Sequence, residues 1–255
     1  MIVGGDQQML DASCTSAEIK TANPSVAVFG IGAIAQHSGH LPLGTDRYQV
    51  AEVSRRVAED LRAFLLPTLP FSMSECHTGT AGTVWLRAET LASIVRDVVH
   101  SLRSQGIHRV VLINGHGANF VLGPVTRELN RVHRDMMIIL VQYEPWSKEA
   151  YLFRYGSVDS HAGEIETSLM LAIRPELVKK ERVDGVCAMG REFYDYAPMH
   201  RWAPDGVDGI PNAASAEKGL VALDAGARTL AKEVRLAFEA LSREDTGASP
   251  AESRG

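Results

Sequence analysis

Cysteine is scarce here. Cys14, Cys76 and Cys187 are three thiols in 255 residues, widely spaced and without a CxxC pair. That excludes a disulfide-stapled mini-domain and fits a reducing compartment, with the thiols read as unpaired and without a special role. Long apolar runs are also missing. No stretch of about 18 consecutive apolar residues offers a transmembrane helix. Met1 to Lys20 has no basic opening and no signal-peptide core, and Asp6 and Asp11 interrupt it early. These absences read as a cytoplasmic protein with no membrane partner. Positive charge is in deficit: 26 Lys+Arg against 31 Asp+Glu give a formal charge of −5. Nucleic acid is therefore excluded as the main partner, because phosphate binding needs clustered cations. With 45% hydrophobic and 22% charged residues, the chain is neither mainly disordered nor collagen-like. No internal repeat or dividing linker is visible. The expectation is one domain over residues 1–241 and a polar, disordered tail over 242–255.

Histidine is plentiful, with nine residues, and the question is whether they are patterned. The frame that carries them alternates apolar strands with amphipathic helices. Val26 to Ile31 is a buried-strand run. A helix follows Thr45 or Asp46, either of which can cap it, with Val50, Val53, Val57, Leu61 and Phe64 as its stripe. Leu91 to Leu102 is strongly helical and ends at Gly106. The strand Arg109 to Ile113, a helix with Val121, Leu122, Val125, Leu129 and Val132 on its apolar side, and the strand Met136 to Val141 come next. Gly163 to Ile173 is helical again, and Pro175 closes it. Residues 179–212 read as irregular loops. A last helix spans Ala214 to Leu241, with Leu220, Leu223, Ala227, Leu230, Val234 and Phe238 on one face. Near-continuous apolar strands between such helices predict a mostly parallel sheet covered on both faces, an α/β fold of three layers.

In such sheets ligands bind at the carboxyl ends of the strands. Three His-bearing segments sit there: Gln36 to Asp46, Asn114 to Asn119, and Asp159 to Ser168. His with carboxylate is a ligand set for Zn²⁺, Mn²⁺ or Fe²⁺. A metal in such a site activates water and polarises a carbonyl, and a further His or Glu moves the proton to a leaving nitrogen. The composition of the three loops thus points to metal-assisted hydrolysis. His77, His100, His108, His133 and His200 are placed on helix or loop surfaces. Glu164 and Glu166 each have a plainer reading as first-turn acids that complement a helix dipole.

At these residues the sequence resembles the creatininase (creatinine amidohydrolase) family. Its first motif, G-S-x-E-Q-H-G-P-H-L-P-L-G-T-D, is matched by Gly32 to Asp46. Its second, N-G-H-G-G-N, is matched by Asn114 to Asn119 with Ala118 in place of the last Gly. Its third, H-A-G-x-x-E-T-S, is intact from His161 to Ser168. The resemblance implies a three-layer α/β/α fold and a divalent-metal amidohydrolase (Zn, Mn or Fe, one or two ions) that acts on a small molecule and forms a homo-oligomer: dimer, trimer or hexamer. Activities in such families include opening a cyclic amide, removing a formyl group and trimming a peptide precursor. By position, His37, Asp46 and His116 inherit metal-ligand roles, with Asp46 as the bridge if two ions bind. Glu166 is a further ligand or proton carrier, and His161 does acid/base work on the leaving nitrogen. Gly117, Asn119 and Thr83, the last in a Thr78–Thr83 stretch similar to the family's F-P-G-T, line the substrate side.

One departure stands out. The motif's ligand Glu is Ala35 here, and Ala cannot hold a metal. Three outcomes are open: one metal on the remaining ligands, substitution by another acid such as Glu75, or a site that binds without turnover. A non-catalytic member, and hydrolysis of a cyclic ketone, stay beside the amidohydrolase reading. Substrate specificity is expected from residues 179–212 and from the loop with Tyr143, Trp146 and Tyr151.

Overall fold

A computed structural model describes residues 9–142, 160–187 and 197–244. The loop with Tyr143, Trp146 and Tyr151 lies outside them, as does the part of the polar tail beyond Glu244. The elements run α1 (Ser16–Ala22), β1 (Val26–Ile31), α2 (Thr45–Leu61), β2 (Phe64–Leu65), α3 (Ala88–Ser104), β3 (Arg109–Asn114), α4 (Leu122–Val132), β4 (Met137–Gln142), α5 (Glu164–Ile173) and α6 (Ala216–Glu244). Short 3₁₀ turns occur between them, one at Glu75–His77. No helix among the described residues is long and apolar enough to cross a membrane.

The strands form one parallel sheet in the order β2-β1-β3-β4. Alternation along each strand divides the core into two layers. Val26, Val28, Val111 and Ile113 face α2, α5 and α6, where they meet Val50, Val53, Val57, Leu169, Leu223, Leu230 and Val234. Ala27, Phe29, Ile31, Val110 and Leu112 face α3 and α4, where they meet Leu91, Val95, Val99, Leu122, Val125 and Leu129. Both faces of each central strand are dry, which is why β1 and β3 are apolar at nearly every position. The three-layer α/β/α expectation is met.

Some local expectations are corrected. Neither Thr45 nor Asp46 caps α2: the cap position is Gly44, with no side-chain hydrogen bond. Thr45 Oγ1 donates to the Pro42 carbonyl at 2.7 Å, and Asp46 turns into the site. Val132 and Leu220, read as part of buried stripes, are exposed because each sits at the edge of its helix's apolar face. The polar N-terminal stretch contains a short helix, α1, with a Thr15–Glu18 capping box and no buried residue. At the other end α6 continues through Glu244.

The sheet order places the site. After β1 the chain turns to the α2 side, and after β3 it turns to the α4 side. The loops leaving these adjacent strands therefore diverge and open a crevice between them. Ile31 and Asn114, the last residues of the two strands, are partners in register, so the first and second His-bearing loops start at one level.

Candidate metal centre at the switch point

Asp46 lies at the middle of the crevice. Its Oδ1 is 3.1 Å from His37 Nε2 and its Oδ2 is 2.7 Å from His116 Nδ1. Its position in the first turn of α2 aims it back over the strand ends. Gly115 lets the second loop reach it: a Cβ there would stand 2.7 Å from Val50 Cβ on α2, so a larger residue would push His116 away from Asp46. Asn114 Oδ1 accepts from the His116 N–H at 3.2 Å, which sets the turn of that loop.

Two groups of potential ligands flank Asp46. His37, His161 and Glu166 form one, and Cys76, His77 and His116 form the other; within each, one ligand atom per residue lies within 4.8 Å of the rest. Every histidine among them is buried. The structure thus gathers His37, Asp46, His116, His161 and Glu166, all named from sequence, in one place. It also adds two that were not. His77 was read as a surface residue, but it is 2% exposed, because the segment carrying it folds inward across the ends of β1 and β3. Cys76 was read as a thiol without a role. The available signal was a Cys–His pair just before the Thr78–Thr83 stretch. The suggested substitute acid, Glu75, belongs to neither group among the described residues.

The charges in the pocket are set by mutual contact. Burial alone would raise the Asp46 carboxyl, but His37 and His116 hold it far below the usual carboxylate range. Burial opposes charge on His37 as well. Asp46 and Glu166 outweigh it and hold that imidazole well above its ordinary range. His116 is pushed up to about 9, since Asp46 and Cys76 overcome the penalty of burial. Burial, then His116 and His37, push His77 down to about 3. Burial, then His37 and His77, put His161 well below its ordinary value.

Gln36 organises the neutral histidines. Its Nε2 lies 3.1 Å from His77 Nδ1 and 3.0 Å from His161 Nε2, and donates to whichever of these nitrogens is unprotonated. Its Oε1 accepts from the Ser38 N–H at 2.9 Å, which orients the amide. Thr83 Oγ1 accepts from the Gln36 N–H at 3.1 Å, so Thr83 acts on the frame of the first loop. Asn119 is likewise engaged inside the protein. Its Oδ1 accepts from the Met73 N–H at 3.0 Å and its Nδ2 donates to Asn114 Oδ1 at 2.9 Å. Gly117 is exposed beside it.

The third loop is fixed from below. His161 and Asp208 exchange two backbone hydrogen bonds, and Asp208 is buried. The Ala162 N–H donates to Glu166 Oε2, which leaves Oε1 towards His37 at 3.6 Å. Glu164 points elsewhere: its Oε1 accepts from Lys218 Nζ at 2.5 Å, so it ties α5 to α6.

Two observations test whether the pocket suits a metal. His37 Nδ1 lies 3.1 Å from the Ala35 carbonyl. A carbonyl only accepts, so Nδ1 carries a proton, and Nε2, which faces Asp46 Oδ1, is the nitrogen that a metal would take by displacing its proton. His116 Nε2 is buried with no hydrogen-bond partner among the described residues, a cost that a metal would remove. Imidazole, carboxylate and thiol donors match a divalent transition metal.

Comparison with known proteins agrees with this geometry. The family model of creatininase, described as creatinine amidohydrolase, matches residues 12–234. Creatinine amidohydrolase of Pseudomonas putida is 29% identical over 237 residues, 85% of this chain and 91% of that protein. The mycofactocin precursor peptide peptidase of Mycobacterium ulcerans is 30% identical over 223 residues, 80% of this chain and 82% of that protein. A solved mutant creatininase of Zn-Zn type superposes with a TM-score of 0.78 at 25% identity, covering 91% of this chain and 99% of that one. The order of the three loops, their meeting at the switch point and these matches have one reading: the chain belongs to the creatininase family of hydrolases.

Proposed function

We propose that this chain is a metal-dependent amidohydrolase that cleaves a non-peptide C–N bond, in a cyclic amide or a formamide of a small molecule. The observation that carries the reading is Asp46, with one oxygen towards a histidine of each ligand group. His37, Asp46, His116 and Glu166 would hold the metal. A divalent ion there supplies a water nucleophile at neutral pH and polarises the substrate carbonyl.

The chain's own residues supply the rest. Hydrolysis takes a proton from the attacking water and gives one to the departing nitrogen. In this reading His161 carries it. Its Nε2 lies 3.0 Å from the Gln36 amide nitrogen and 2.9 Å from the Gln36 main-chain carbonyl. A neutral ring accepts from the amide, and a ring protonated at Nε2 donates to the carbonyl. Both states of His161 therefore have a partner in place, which suits a group that gains and loses a proton in each cycle. Glu166, with Oε2 taken by Ala162, serves as an anchor opposite His37. Gly117, exposed beside His116, leaves room for the substrate backbone or ring to come close. Asn119 and Thr83 act on the substrate side indirectly, through Met73 and Gln36.

The test is elemental analysis of the purified protein with turnover assays on cyclic amides and formamides, before and after chelation. Bound Zn, Mn or Fe and activity restored by one of them are expected. Protein without metal, and without activity on adding any of the three, would overturn the reading. Trimming of a peptide precursor is the second reading, supported by the similarity to the Mycobacterium ulcerans peptidase. Release of a terminal residue from a peptide, with small cyclic amides and formamides inert, would select it.

A further inference from the structure

We propose that Cys76, His77 and His116 form a sulfur-bearing metal position that takes the place of the one deprived of its carboxylate at Ala35. The proposal rests on the metal-dependent reading above and adds which residues complete the second position and which ions it prefers.

Four observations carry it. The three side chains each bring a ligand atom within 4.8 Å of the others. His116 is 8% exposed, and its Nε2 has no hydrogen-bond partner among the described residues. Asp46 Oδ2 stands 2.7 Å from His116 Nδ1, on the opposite edge of the ring, and orients the imidazole so that Nε2 is free for a metal. The segment with Cys76 and His77 is also held in place rather than loosely apposed. The Met73 N–H is bonded to Asn119 of the second loop, and the chain then closes a 3₁₀ turn in which the His77 N–H donates to the Ser74 carbonyl at 3.0 Å. The same loop that carries His116 thus positions Cys76 and His77 beside it. Ala35 itself is fully buried, and its carbonyl orients His37.

The chemistry follows from the donor set. Sulfur and two imidazoles make a mixed set of the kind Zn²⁺ takes, with a place left for water or substrate. Thiolate favours Zn²⁺, Fe²⁺ and their probe Co²⁺ over Mn²⁺ and Mg²⁺, which prefer oxygen. The position formed by His37, Glu166 and Asp46 has no sulfur. The two positions are therefore unequal: one retains a thiophilic ion, and the other exchanges ions more freely. On binding, the Cys76 S–H bond breaks, the S–metal bond forms, and the proton leaves to solvent.

Cobalt substitution tests this without recourse to activity. The full-length protein is stripped with chelator and loaded with Co²⁺. A near-ultraviolet thiolate-to-cobalt charge-transfer band is expected, and Cys76→Ser should abolish it together with one of the two bound ions. Cobalt-loaded protein without that band, or C76S protein that keeps both ions, would overturn the proposal. Wild-type protein that binds no metal at all would overturn both this proposal and the metal-dependent reading, so the two failures are distinguishable. A second measurement avoids dependence on how the variant folds. Alkylation of wild-type Cys76 is followed by mass spectrometry with and without Zn²⁺, using Cys14 and Cys187 as references. Protection confined to Cys76 supports the proposal, and equal rates at Cys76 with and without Zn²⁺ refute it.

Discussion

Gln36 presents His161 with a donor and an acceptor at nearly equal distance, its side-chain amide at 3.0 Å and its main-chain carbonyl at 2.9 Å from the same ring nitrogen. The ring can change protonation state without losing a partner, so little reorganisation accompanies proton transfer. Replacing His161 by Gln should lower kcat by about 10²–10⁴-fold, the usual contribution of a placed general acid or base, while metal content stays the same. Because His161 also stands within ligand reach of His37 and Glu166, elemental analysis of the variant is the deciding readout. Loss of an ion would move His161 from proton carrier to ligand.

Asp46 is the residue whose loss should affect both ligand groups at once. An Asn there keeps the shape but gives up the charge that faces His37 and His116. Asp46→Asn should therefore bind fewer ions than any single-histidine variant and show no measurable turnover. Titration calorimetry with Zn²⁺ checks this. A variant with undiminished stoichiometry would mean that the two groups hold their ions without the carboxylate between them.

Protons would compete with the proposed metal for the same nitrogens, and the sign of the pH effect on the metal-free protein follows from two histidines shifted in opposite directions. His116 is raised from its ordinary 6.5 to about 9 in the fold. Its contribution is fully present below pH 6.5 and is lost as pH rises through 9. At roughly 1.4 kcal/mol per pH unit, that window is worth at most about 3–4 kcal/mol. His77 is lowered to about 3, so its contribution is present above pH 6.5 and is lost as pH falls towards 3. The metal-free protein should be most stable near pH 6.5 as far as these groups decide, with thermal stability falling on both sides. Metal binding should flatten the alkaline limb, because a ligating imidazole is already neutral. Melting curves from pH 4 to 10, with and without Zn²⁺, test both limbs.

Gly219 sets how closely α6 packs on α5. A Cβ there would meet the Ser168 carbonyl oxygen at 1.9 Å, far inside contact distance. Since Glu166 and Ser168 share α5, spreading these helices moves the proposed ligand Glu166 as well as the core. Gly219→Ala should cost about 1–3 kcal/mol, as overpacking does, and weaken metal binding in the same variant. Unchanged affinity alongside a lowered melting temperature would show that the first turn of α5 is held from the Ala162 side alone.

The sheet, its covering helices and most of the site were legible because each rests on a local pattern. Val26 to Ile31 and Arg109 to Asn114 are apolar enough to be buried strands, and the loops after them carry their His at motif spacing. His77 and Cys76 were not legible in the same way. They lie on no periodic element, and the contact that brings them in, from Met73 to Asn119, spans 46 residues. Gln36 was visible within its motif, but its role depends on where His77 and His161 end up in space. Glu164 shows the reverse case. The sequence left it open between a helix-terminus acid and a site residue, and Lys218, 54 residues away, decides it.

Ala35 is where these strands of evidence meet. The family pattern has a ligand carboxylate there, and this chain has a methyl group with no exposure. If the second metal position lacks a ligand, Ala35→Glu should add it and raise turnover. If Cys76 and His77 already complete that position, a Glu at residue 35 has nothing to supply. Its carboxylate must then be buried without need, at a cost of about 1–3 kcal/mol in the metal-free protein. The second outcome is expected: a lower melting temperature without metal, a smaller loss with it, and no gain in turnover. The same substitution should behave differently in a Cys76→Ser background, where the position does lack a ligand. There Ala35→Glu should restore the lost ion. Metal stoichiometry of the four proteins, wild type, A35E, C76S and the double variant, separates the cases. A gain of an ion in A35E alone would show that the native position is incomplete and that Cys76 does not fill it.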